Sequence, residues 1–144
     1  MMLTTLMKFG GYRVDRFFQL EQTGKEFGFY VCADLMEPDG YCREAKHQLY
    51  FGLAVIHSQG ELKNLAGIYI DINHSENLLR PAYVALKQDL LEGNFHRVVM
   101  IQNSILRSHG EAKKDLAGLA LQIRNLELFT FGPGKFEIVP FSRP

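Results

Sequence analysis

The chain has 144 residues, with 16 Lys plus Arg, 16 Asp plus Glu and a formal net charge of zero. That length suits one domain able to bury about two thirds of its unfolded surface, and the charge balance removes the global footprint of an autonomous nucleic-acid or anionic-lipid binder. No apolar run approaches the roughly 18 residues of a membrane span, and Met1 to Lys8 has the wrong order for a secretory signal, so a cytoplasmic protein with no membrane partner is expected.

Residues 1–28 read as an N-terminal extension. Tyr12 to Leu20 alternates in part and leads through Thr23-Gly24-Lys25 into the next apolar run, which predicts a hairpin with that run. Val14, Phe17, Phe18 and Leu20 also fit one face of a helix, so the local pattern leaves both conformations open, with the hairpin preferred. Thr23-Gly24-Lys25 lacks the leading glycine and spacing of a phosphate loop. Phe29 to Ala33 is the first core strand, ending at Asp34, and Glu37-Pro38-Asp39-Gly40 is a turn that can also start a helix. From Tyr41 onward, Tyr41, Ala45, Leu49, Leu53 and Ile56 recur at helical intervals, with a stop near Ser58 to Gly60.

The most legible stretch is Gly67 to Arg107. Gly67 to Ile72 is a β-branched and aromatic run that passes into polar Asn73 to Asn77. Pro81 suits a first helical turn, Ala82, Tyr83, Leu86 and Leu90 follow at helical spacing, and Gly93 supplies a stop. Val98 to Ile101 is a continuous apolar run, the composition of a parallel strand covered on both faces. A third helix is expected with Ala112, Leu116, Leu119, Ala120 and Ile123 as its buried stripe. Glu127 to Phe131 is the fourth strand of the core, and Phe136 to Val139 returns as an antiparallel fifth after the Gly132-Pro133-Gly134 turn.

This order predicts an α/β fold: an open doubly wound, mostly parallel sheet of flavodoxin-like three-layer form, with additional N-terminal and C-terminal strands. The core spans residues 29–131, and residues 132–144 form a C-terminal hairpin strand. Sites in such sheets lie beyond the carboxyl ends of the strands, here Asp34 to Asp39, Asp71 to Arg80 and Gln102 to His109.

Ile68-Tyr69-Ile70-Asp71, then Ser75, Arg80-Pro81, a helix with Leu86 and Leu90-Leu91, Gly93 and the strand Val98 to Ile101 together resemble the catalytic domain of serine recombinases, the resolvase and invertase family. The resemblance covers roughly residues 29–131. It implies a resolvase-like fold and a Tyr-x-Arg-x-Ser pattern on the first strand, where the serine attacks a DNA phosphate. Here that pattern falls on Tyr30, Cys32 and Asp34, so nucleophile and arginine are both missing. Aspartate would be repelled by the phosphodiester, and a thiol supplies no fixed positive charge. The family's second arginine cluster falls on Ile105, Leu106 and His109, with Arg107 one register away. Arg80 alone clearly keeps a family position. No helix-turn-helix candidate follows the core. The resemblance therefore implies a degenerate member, with DNA as a partner only by analogy and with a homo-oligomer or protein partner expected.

Two site chemistries compete with that outcome. Asp34 and Asp71, near the ends of neighbouring strands, have the oxygen ligands a magnesium ion takes, which would give a small phosphoryl-transfer or hydrolytic enzyme; the competing role is capping of the following loop or helix. Arg80, Arg107 and His109 would make an anion pocket, unless Arg80 pairs with Asp71 or Asp34. The histidines have no metal-ligand spacing, and no glycine-rich loop supports a flavin or nucleotide. No resident cofactor is expected. Cys32 and Cys42 have no CxxC spacing and should stay reduced. Phe129, Phe131, Phe136 and Phe141 are candidates for an apolar surface that self-association would cover.

Overall fold

The computed structural model describes residues 3, 6–7, 10–18, 23–35, 42–74, 80–100, 118–119, 121–123, 125–131 and 138–140. Among them the elements are β1 (Gly11–Arg16), β2 (Phe27–Leu35), α1 (Arg43–Ser58), β3 (Leu65–His74), α2 (Pro81–Leu91), β4 (Arg97–Met100), β5 (Glu127–Phe131) and β6 (Ile138–Pro140). They build an α/β fold around one mixed six-stranded sheet, in the order β1-β3-β2-β4-β5-β6. The inner strands β3, β2, β4 and β5 run parallel, and β1 and β6 close the two edges antiparallel.

The continuous apolar run of β2 needs cover on both faces, and it receives it. Phe27, Phe29, Val31 and Ala33 point into a core shared with Ala45, Leu49, Val55 and Ile56 of α1. Tyr30 and Cys32 point the other way, into a core shared with Ala82, Tyr83, Leu86 and Leu90 of α2. The strand period of two and the helix period of 3.6 thus place one helix on each face. Close approach on the first face depends on Gly52: a Cβ there would run into the Phe29 ring. At the end of α2, Gly93 adopts φ +78°, and its N–H donates to the Leu90 carbonyl (3.1 Å), the left-handed stop its position suggested.

The expected hairpin between the N-terminal strand and the first core strand does not form. β1 pairs antiparallel with β3, from Gly11↔Ile72 to Arg16↔Gly67, and β3 lies between it and β2. Both sides of β2 are taken by parallel partners, and the mixed polar and apolar sequence of β1 suits an edge better than a position covered on both faces. Phe131 does not contribute to an exposed apolar surface, and Phe129 is partly buried. Phe131 is buried against Phe29 and Phe51, with ring centroids 5.8 and 5.9 Å away, and Phe129 packs on the same core. Phe136 and Phe141 lie outside the described residues, as does most of the expected third helix. Its Leu119 is buried in the α2-side core, where Ile123 packs in part. No helix among the described residues is long and apolar enough to cross a membrane.

Candidate functional site

The parallel strands bring their carboxyl ends to one edge, and register decides which side chains meet there. Cys32 of β2 lies opposite Asp71 of β3, and Asp34 lies opposite Asn73. Alternation puts Tyr30, Cys32, Tyr69 and Asp71 on the face beneath α2. Asp71 is fully buried. Its Oδ1 accepts the Ala82 N–H (2.9 Å), and its Oδ2 accepts both the Tyr83 N–H (2.9 Å) and the Tyr30 hydroxyl (2.7 Å).

These bonds explain how α2 starts. Arg80, at the N-cap, gives no side-chain cap, and Pro81 has no N–H. The first two amide donors of the helix, Ala82 and Tyr83, are both satisfied by a carboxylate reaching across from β3, where negative charge also favours the helix dipole. Burial raises the Asp71 pKa above the ordinary carboxylate value. The bonds from Ala82, Tyr30 and Tyr83, and then the charge of Arg80, oppose that rise without cancelling it. The Tyr30 phenol is pushed well up, by burial first and then by Cys32 and Asp71. Its ring packs on Tyr83 at 5.8 Å between centroids.

A second polar device serves the same strand from the opposite face. Buried Gln48 of α1 donates from Nε2 to the Cys32 carbonyl (2.9 Å), and its Oε1 accepts the Cys32 N–H (3.4 Å). Among the described residues, the pairing of β4 with β2 reaches Tyr30↔Met100. Gln48 thus supplies a donor to the Cys32 carbonyl and an acceptor to its N–H, as buried backbone groups require. Glu44 accepts from the same Nε2 at 3.1 Å and fixes the carboxamide's orientation.

Of the site residues the sequence singles out, Tyr30, Cys32, Asp71 and Arg80 come together at this edge. The side chain of Asp34 lies outside the described residues, as do Arg107 and His109. Arg80 is 9% exposed, and its Nη1 has no hydrogen-bond partner among the described residues. It influences Asp71 by charge at a distance. Among the described residues no group of three His, Cys, Asp or Glu side chains is placed to hold a metal. Cys32 and Cys42 are buried thiols not joined in a disulfide.

Sequence reading passes over Gln48 and Asp89, both buried polar residues on otherwise apolar helix stripes. That mismatch is the signal that would have found them: a polar residue at a buried helical position needs a fixed partner. Asp89 Oδ2 accepts the buried Tyr69 hydroxyl and the Arg16 Nε–H (2.9 Å), joining β1, β3 and α2. Burial, then Asp89, raises the Tyr69 pKa. α2 is thus held near its first turn by Asp71 and near its last by Asp89.

A cleft of about 170 Å³ lies at the opposite, amino edge of the strands, bordered by Lys25, Phe27, Arg97 and Phe129. Arg97 sits 5.7 Å from the centre of the Phe129 ring and 3.3 Å from Glu127. Comparisons with protein-family models, curated proteins and solved structures found no match.

Proposed function

We propose that this chain is a resolvase-like domain without strand-exchange chemistry, working in the cytoplasm as a binding or assembly module. One observation carries the reading: both oxygens of Asp71 and the hydroxyl of Tyr30 are engaged in starting α2. A carboxylate with three donors already on it and no exposure offers little to a metal or a proton-transfer step. Cys32, at the position where the resembled family keeps an arginine, is 5% exposed with its backbone held by Gln48.

The sheet supports the fold side of this reading. With β2 counted first, its parallel part has the order 2-1-3-4, as in flavodoxin-like doubly wound sheets, and α1 and α2 pack on opposite faces. Any surviving DNA affinity would run through phosphate contacts. The test is incubation of the purified chain with duplex DNA under conditions that trap covalent intermediates. The expected result is no protein–DNA adduct and no strand joining. An adduct mapped to any residue of this chain would overturn the proposal.

A further inference from the structure

The edge strand β1 carries a surface suited to a second copy of this chain. β1 pairs with β3 over six consecutive residues without a bulge, and no strand among the described residues pairs with its other side. An outward edge is a template for another strand unless proline, a bulge or repelling charges block it; Gly11–Arg16 has no proline or bulge, and its charges, Arg13, Asp15 and Arg16, are of both signs. Exposed aromatics lie on it and just after it: Tyr12 is 53% exposed, Phe17 48% and Phe18 42%.

Symmetry and charge select the partner. We propose that two copies join antiparallel through β1 about a twofold axis at Val14, making one continuous sheet; this inference rests on the assembly-module reading. A twofold perpendicular to the sheet preserves its faces, so the axis must pass through one residue position. Centred on Val14, the register sets Arg13 opposite the second copy's Asp15, twice, and Tyr12 opposite its Arg16, twice. Centring on Arg13 or on Asp15 instead brings like charges together on the axis, which is unfavourable.

The side chains are placed for this exchange. Arg13 and Asp15 already share a face, with Arg13 Nε donating to Asp15 Oδ2 at 2.7 Å, and each is about one third exposed. Tyr12 lies on the face of Arg16, where ring and guanidinium can stack. Gly11 meets Phe17 of the second copy, and its missing side chain leaves room for the ring.

The experiment is sedimentation of the full chain from about 1 µM to about 1 mM, for wild type, Arg13→Asp, Asp15→Arg and the double swap. The wild type should dimerise. Each single swap turns two attractive pairs repulsive and should weaken the dimer roughly tenfold or more, and the double swap should recover it. Circular dichroism checks that each variant folds. Independently of any variant, amide exchange in β1 should slow as wild-type concentration rises. A wild type monomeric throughout, single swaps indistinguishable from wild type, or a double swap no better than the singles would each overturn the proposal. Covalent DNA chemistry would instead refute the module reading and leave the sedimentation result standing, so the two failures are separable.

Discussion

Asp71→Ala tests the role of the carboxyl-edge carboxylate. The substitution strands three buried donors: the N–H groups of Ala82 and Tyr83 and the hydroxyl of Tyr30. Each buried donor left without an acceptor costs about 1–3 kcal/mol. Relief of the carboxylate's own desolvation, the largest influence on its acidity, and entry of water offset part of the sum. The net loss should be about 3 kcal/mol, which for a chain of this size lowers Tm by about 6–12 °C. Asp71→Asn keeps one acceptor oxygen but turns an amide donor toward a backbone N–H, and should lose about 1–2 kcal/mol. Tyr30→Phe, which deletes only the hydroxyl, should lose about 1 kcal/mol. Urea unfolding, followed by circular dichroism and by fluorescence to check two-state behaviour, measures all three. An Asp71→Ala loss below about 1 kcal/mol would refute the claim that this side chain holds the start of α2.

The remaining predictions concern the same framework. Because burial raises the Asp71 pKa in the folded state, the folded chain holds more protons than the unfolded one between the ordinary carboxylate value and the raised one. Stability from this group therefore falls as pH rises through that window; wild type should gain on Asp71→Asn as the solution is acidified, and the opposite trend in paired urea titrations would refute the assignment. Gln48→Leu removes both bonds to the Cys32 backbone and should cost about 2 kcal/mol by urea unfolding, whereas an unchanged midpoint would mean that water or another group satisfies Cys32. Gly52→Ala drives a methyl into the Phe29 ring and should cost about 1–3 kcal/mol despite the better helix propensity of alanine; a stabilised variant would show that the α1–β2 contact is loose.

The unit from β3 through α2 to β4 was legible in the sequence because periodicity changes there from two to 3.6 and back, with Pro81 and Gly93 marking the helix ends. β1 was harder to place. Its own residues announce a strand, but its partner is β3, far along the chain, and local turn chemistry near Gly24 says nothing about a strand inserted between β1 and β2. The capping role of Asp71 was among the roles its strand-end position allows. Its reach to Ala82 and Tyr83 follows from register and helix placement, which spacing alone does not give. Gln48 and Asp89 were hidden for a related reason: each breaks an apolar stripe, and only the packed structure identifies the backbone or side chain it satisfies.

Calorimetric titration of the purified chain with magnesium, repeated on Asp34→Asn, tests the central claim most directly, because it asks whether the carboxyl edge can serve a phosphoryl-transfer enzyme or only holds the fold. Binding of α2 by Asp71 leaves that carboxylate committed, and the expected result is no saturable magnesium heat from either protein. Saturable binding by wild type that disappears in Asp34→Asn would contradict the account and establish a metal site at this edge.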